Sequence, residues 1–390
     1  MKYNLLLIIS LMLTTSTFAQ HGINDVLKQI EANNPTLKAL QAQSENQKAK
    51  AKLDLLPPNP NIEGGRFPSV EGTGMKHAWG VSQHFEFPTV YARRNQLAKT
   101  TSSFADANYN AARQRILLDA KLALLDYIHA KRQHSELQKR VEFAQSMHAL
   151  IKKKVDAGES TMLDLNNANL KLVEAKLKVR EVEGNIRVIN NKLVAMNGNS
   201  ELPKIDIQHV ILELPSNEKI KKEFFDNDYR FAALKQRIKI AERNKTLVTH
   251  QGLPELSIGY QSERTDAEHF SGFRAGLSIP LWGNRNKSKV AKIQLHAAHL
   301  DYESERVILE SEFDELYLNA KNSYNDLVYL MESLNDYSNI PLLRKALEAG
   351  QVSVVEFFNE VAYLYSINDK VLELELAYAK KRAMLHRFEL

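Results

Sequence analysis

Residues 253–281 read LPELSIGYQSERTDAEHFSGFRAGLSIPL. Leu256, Ile258 and Tyr260 alternate with Glu255, Ser257, Gly259 and Gln261. Phe273, Ala275, Leu277, Ile279 and Leu281 alternate with Gly272, Arg274, Gly276, Ser278 and Pro280. This period of two predicts strands near 253–261 and 272–281, each apolar on one side only. Such a hairpin could lie on a soluble core. Strands of about 9 to 11 residues also suit a tilted crossing of a bilayer, and a lone hairpin is marginal in water.

The pattern is one half of a duplication. Gly80 aligns with Gly272, Phe87-Pro88 with Ile279-Pro280, Arg93 with Arg285, and Ala157-Gly158 with Ala349-Gly350, every pair 192 positions apart. One constant offset over so long a stretch marks an internal repeat. Extended segments near 60–67 and 76–87 therefore form the first hairpin, with Gly72 and Gly74 in its loop. Trp79, Val81, Phe85 and Phe87 share a face, interrupted by Gln83. The chain divides into repeat 1 (20–199, hairpin 60–87), a linker rich in turn residues (200–216), and repeat 2 (217–390, hairpin 253–281).

Around the hairpins the sequence predicts long helices. In repeat 1 they run from about Ile23 to Leu55, stopped by Pro57-Pro58, then Val90 to Val155, and Thr161 to Met196 after a break at Gly158. In repeat 2 they run Asn217 to Thr249, Asn284 to Leu347, and Ser353 to His386 after Gly350. Residues 90–155 would extend about 100 Å as one helix, too long for a globular domain. Apolar positions recur at three and four, as Leu163, Leu170, Val173 and Leu177, and as Val354, Phe357, Val361, Leu364 and Val371. That spacing is coiled-coil packing. Four strands close no barrel, which takes about eight, and open edges are forbidden in lipid. Membrane strands here would have to be shared between copies, two, three or more.

Composition agrees. Gly 15 and Pro 11 are low counts for 390 residues, as expected of long helices. Lys2, the apolar run Leu5–Leu13 and Thr17-Phe18-Ala19 make a secretory leader, 1–19, cut after Ala19. That run is too short to span a bilayer, and no other stretch approaches the 18 or so apolar residues of a membrane helix. The chain has no cysteine, hence no disulfide or thiol chemistry. Its net charge of +5 is scattered rather than gathered into the basic stripe of a nucleic-acid binder. His296 and His299 have a metal-capable spacing, but no third ligand stands close by in sequence. No catalytic triad, phosphate loop or dinucleotide fingerprint occurs, so neither enzyme nor cofactor is expected.

A leading helix, a hairpin ending in Phe/Ile-Pro, an arginine five residues on, and a long helix broken at Ala-Gly resemble the TolC-like outer-membrane efflux proteins. The resemblance covers nearly the whole chain beyond the leader, in both repeats. Gly158 with Asp164 and Leu170, and Gly350 with Glu356 and Leu364, are similar to that family's glycine, acidic residue and leucine-rich helix. The segment Glu86-Phe87-Pro88…Arg93-Arg94 resembles the cation-efflux branch most, although many of its members carry an N-terminal lipid-anchoring cysteine. The resemblance implies a mainly α fold with a membrane β-barrel: a homotrimer sharing twelve strands in the outer membrane, with a helical tunnel across the periplasm. It further implies docking to a periplasmic adaptor and an inner-membrane pump of the RND type. A type I protein-secretion duct shares this fold. A periplasmic coiled-coil adaptor or scaffold is the alternative from another class, though it has no need of matched membrane-length strands.

Within that frame, Glu356, Asn359 and Asp164 are gate candidates. A ring of carboxylates would favour cations and raise the carboxylates' own pKa values. The helix macrodipole accounts for acids at these positions equally well. Gly158 and Gly350 supply helix-ending turns, with Ser160, Thr161, Val352 and Ser353 as exposed contacts for an adaptor. Pro88, Arg93, Pro280 and Arg285 mark the junction of barrel and helix, where arginine binds lipid phosphate or terminal carbonyls.

Overall fold

The computed structural model describes residues 22–68, 74–203, 205, 211–335 and 340–390. The expected leader, the expected loop glycine Gly72 and part of the expected linker lie outside the described residues. Helices α1 (22–33) and α2 (Pro35–Lys50) lead into strands β1 (Asn61–Pro68) and β2 (Met75–Phe85), followed by α3 (Pro88–Asp156) and α4 (Met162–Met196). The order then recurs: α5 (Asn217–Asn227), α6 (Tyr229–His250), β3 (Glu255–Arg264), β4 (His269–Ser278), α7 (Arg285–Asn335), α8 (Ile340–Glu348) and α9 (Val354–Leu385).

Two expected helices are each split. Pro35 has no N–H to give and so fits the first position of a new helix. Asn34 caps that helix: its Oδ1 accepts from the Leu37 N–H at 3.0 Å, and its Nδ2 donates to the Met196 carbonyl at 2.9 Å. The same device separates α5 from α6, where the Asp228 carboxylate accepts from the Arg230 N–H at 2.8 Å. The helix expected over 284–347 is observed as α7 and α8, with 336–339 outside the described residues.

The chain forms two compact units. One takes in the described residues up to Lys38 with Arg113–Asn227 and Glu310–Leu390, and is helical. Val26 and Ile30 of α1 pack on Leu124 of α3 and Leu193 of α4, all essentially buried. Phe224 of α5, Phe313 of α7 and Leu385 of α9 form the equivalent cluster from the second repeat. Helices α3 and α9 run antiparallel through this unit, tied by Asp126–Lys380 at 2.6 Å, Arg132–Glu375 at 2.6 Å and Arg140–Asp369 at 2.6 Å. The predicted apolar stripes meet different fates. Val354, Phe357 and Val361 of α9 are buried in a core and Leu364 and Val371 are half-buried, whereas Leu163, Leu170, Val173 and Leu177 of α4 are exposed.

The other unit, Ala39–Ala112 with Asp228–Leu309, holds the strands. They form one antiparallel sheet in the order β1-β2-β3-β4. The two hairpins join through β2 and β3, in register from His77 opposite Arg264 to Phe85 opposite Leu256.

Candidate functional site

Register decides what each face of the sheet presents. Ile62 opposes Val81, Val81 opposes Tyr260, and Tyr260 opposes Phe273. Nearer the helices, Phe85 opposes Leu256 and Leu256 opposes Leu277. All of these lie on one face, and Phe273 is 92% exposed there. Trp79, Tyr260 and Phe273 form a chain of ring contacts, with centroids 5.7 and 5.5 Å apart. A contiguous apolar sheet face left uncovered implies a nonaqueous surround.

The opposite face is mainly polar, with Phe67 and Phe270 exposed at its hairpin end. Lys76 pairs with Glu263 at 2.5 Å, Gln261 donates to Glu263 at 2.9 Å, and Arg274 donates to Gln261. These groups line a concavity of about 610 Å³ together with Ser82, His84 and Ser257. Polar side chains on the concave face and apolar ones on the other match the wall of a water-filled barrel.

At the strand-to-helix junction, the expected residues are neighbours of those that make the contacts. Among the described residues Arg93 reaches only Gln96, at 3.1 Å. Arg94 instead donates to the Asp54 carbonyl at 2.8 Å and pairs with Glu86 at 2.6 Å. In repeat 2 Arg285 opens α7 and is exposed, while Asn284 donates to the Val248 carbonyl at 2.5 Å. Pro88 is the first residue of α3, where a missing N–H costs nothing. Pro280 stands between β4 and α7.

The other candidates converge in the helical unit. Gly158 and Gly350 have φ of +77° and +69°. Each ends its helix with paired bonds: Glu159 N–H to the Lys154 carbonyl at 2.8 Å and Gly158 N–H to Val155 at 3.0 Å, repeated by Gln351 to Ala346 at 2.8 Å and Gly350 to Leu347 at 3.2 Å. This is the Schellman motif, whose left-handed residue favours glycine. Lys154 Nζ links the two tips by donating to the Leu347 carbonyl at 3.1 Å. Beneath them Met147, Ile151, Ala168, Leu347, Phe357 and Phe358 form one apolar core.

Thr161 and Ser353 then cap α4 and α9 in matching capping boxes. Asp164 accepts from the Thr161 hydroxyl at 2.7 Å, the Thr161 N–H at 3.1 Å and the Ser160 hydroxyl at 3.0 Å. Glu356 accepts from the Ser353 N–H at 2.9 Å, and its own N–H donates to the Ser353 hydroxyl at 3.2 Å. The Thr161 bonds hold the Asp164 carboxyl below its ordinary pKa, and the Ser353 bonds do the same for Glu356. Within one chain both acids are therefore charged helix caps. Asn359 is exposed on the turn that follows Glu356. Of the expected contact residues, Thr161 and Ser353 are exposed. Ser160 and Val352 are half-buried, Val352 because it packs on the core below the tips.

Sequence reading missed the Arg140–Asp369 pair, in which the guanidinium also lies 4.4 Å from the centre of the Tyr365 ring. No sequence motif announces it, since its partners are 229 residues apart. Among the described residues no three histidine, aspartate or glutamate side chains gather as a metal site.

No protein-family model matches the sequence, and neither does any curated protein. Solved outer-membrane channels do match the fold. CusC, a transmembrane channel, superposes with a TM-score of 0.78 at 14% identity, over 94% of this chain and 92% of its own. The open state of MtrE from Neisseria gonorrhoeae gives 0.76 at 15% identity, over 94% and 88%. CmeC from Campylobacter jejuni gives 0.75 at 14% identity, over 94% and 85%. The chain has the fold of these channels.

Proposed function

We propose that this chain, folded as the TolC-like outer-membrane channels are, is the outer-membrane duct of a tripartite efflux system. It is a passive exit for metal cations or small toxic molecules. It works as a homotrimer coupled through a periplasmic adaptor to an inner-membrane pump of the RND type, and it reaches the outer membrane after its leader is cut.

The observation that carries this reading is the four-stranded sheet, apolar on one face and polar and concave on the other. Its outer strands β1 and β4 each pair on one side only among the described residues. In lipid both free edges require partners. Three copies would supply twelve strands and close the ring. The uncovered leucine stripe of α4 offers the same copies a packing surface, with Leu170 64% exposed.

In a trimer the two tips become six, with Glu356, Asn359 and Asp164 near the narrow end and Thr161 and Ser353 facing the adaptor. Three copies of Glu356 around a constriction would favour cations over anions. Membrane fractionation, crosslinking and planar-bilayer conductance test the duct. A detergent-extractable trimer with steady conductance is expected. Recovery in the soluble periplasm without such an oligomer would refute it.

A further inference from the structure

At one level the sheet's mainly apolar face turns basic. Arg66 opposes His77, His77 opposes Arg264, and Arg264 opposes His269, so a cationic or imidazole side chain stands on every strand at one level. All four are exposed. The row lies at the end of the sheet where the hairpins turn, remote from Pro88 and Arg285 where the helices begin. Two residues further along each strand stand Gly64, Trp79, Ser262 and Ser271, and beyond them Ile62, Val81, Tyr260 and Phe273. The face thus changes from aromatic to basic within two rows, about 7 Å apart at the rise of a strand.

Among the described residues no ion pair engages this row, although Asp266 and Glu268 stand in the turn between Arg264 and His269. Glu63 and Glu263 point to the opposite face and Glu263 is engaged by Lys76. Ser262 Oγ and His269 Nε2 lie 3.0 Å apart, which orients that imidazole. Neighbouring strands are about 4.8 Å apart, so the two arginines flank His77 at close range. The two arginines stand two strands apart, about 9.6 Å, with an imidazole between them, so their exposed guanidiniums and the ring nitrogens present N–H donors along one line to a single anionic surface. From Trp79 to Phe85 the mainly apolar band, interrupted at Gln83, runs about 20 Å along β2, or roughly 16 Å along the normal at a barrel tilt near 40°. The basic row stands just beyond this band, at headgroup depth.

We propose that Arg66, His77, Arg264 and His269 form a binding site for the phosphate groups of lipid headgroups in the outer leaflet. This rests on the channel reading, which puts the apolar face in lipid and the hairpin end outside the cell. Guanidinium forks grip phosphate oxygens with two parallel N–H bonds. An imidazole donates at least one more in either protonation state. Repeated around a closed barrel, the row would be a phosphate-gripping belt that fixes the depth of the channel.

The test uses the full chain, inserted into vesicles of phosphatidylcholine with or without phosphorylated lipid A. Conductance and retained lipid are read by electrical recording and native mass spectrometry. The wild type is expected to retain lipid A in preference to phosphatidylcholine. Arg66→Gln/Arg264→Gln should conduct normally and hold lipid A about tenfold less, as two charge-assisted contacts are lost. Arg66→Lys/Arg264→Lys keeps the charge without the fork and should fall between. Equal retention by the wild type and the Gln variant would overturn the proposal. Displacement of lipid A by inorganic phosphate at matched phosphate concentration would overturn the lipid assignment. A wild type that neither inserts nor conducts would bring down the channel reading and this proposal together, an outcome distinct from the other two.

Discussion

Within one chain the left-handed backbone is what calls for glycine at 158 and 350, because a Cβ added at either would meet nothing within 4 Å. Gly350→Ala should therefore cost about 1 to 2 kcal/mol through left-handed strain, and Gly350→Asn less, as a comparison of melting curves would reveal. Thr161→Ala removes a cap and should cost about 1 kcal/mol, with faster amide exchange confined to the first turn of α4. The acids they hold make the tips sensitive to pH in a definite direction. Asp164 and Glu356 titrate lower in the folded chain than their ordinary values of 3.8 and 4.5. Their stabilisation is complete above that carboxylate range and is lost as pH falls through the lower folded values. Exchange protection at the tips should fall on acidification below about pH 4.5, and much less so in Asp164→Asn/Glu356→Gln. Glu356→Ala also probes the gate: a reconstituted channel whose cation preference does not change would remove Glu356 from that role.

At the scale of elements, the pairing of α3 with α9 rests on apolar contacts, Leu125 against Ala379 and Ala383, with three ion pairs along its length. Arg140 is the most consequential of these. Its side chain is 10% exposed, it binds Asp369 through two nitrogens at 2.9 and 2.6 Å, and it covers the Tyr365 ring. Arg140→Ala should destabilise by roughly 2 kcal/mol, between the values for exposed and buried pairs. A double-mutant cycle with Asp369→Ala should return a coupling of about 1 kcal/mol; a coupling near zero would mean that stacking on Tyr365 is what matters. A different kind of restraint acts on Tyr378, whose hydroxyl donates to the Leu212 carbonyl and whose pKa burial pushes up to about 12. That hydroxyl stays a donor throughout the physiological range.

For the whole molecule, the two faces of the sheet predict opposite tolerances. Phe273→Arg puts a charge where lipid is expected and should cost about 2 to 4 kcal/mol near mid-bilayer, read as loss of folded, membrane-inserted protein. Gln261→Ser on the concave face should leave insertion intact and shift conductance only. Leu170→Glu on the uncovered stripe of α4 should leave the secondary structure of the chain in place and reduce the oligomer, as gel filtration in detergent would report. A Leu170→Glu channel that stays fully oligomeric would show that the stripe is not where copies meet.

The sequence alone carried the repeat, the strands and the helix breaks, because these depend on local periodicity and on what glycine, proline and capping residues do to a backbone. The offset of 192 even aligned Thr161-Asp164 with Ser353-Glu356, which proved to be matching capping boxes. Periodicity told which helix faces are apolar but not their neighbours, so the first part of one stripe proved buried and the other stripe uncovered. The split at Asn34-Pro35 carried a legible signal in the proline, yet Asn34 also binds the end of α4, a contact more than 160 residues distant. Arg94 and Asn284 stand one residue from the positions expected at the junction, because side-chain direction decides which neighbour reaches a carbonyl. The register of β2 against β3 belongs wholly to the tertiary structure. It joins strands from different repeats, and only that pairing aligns Arg66, His77, Arg264 and His269 in one row.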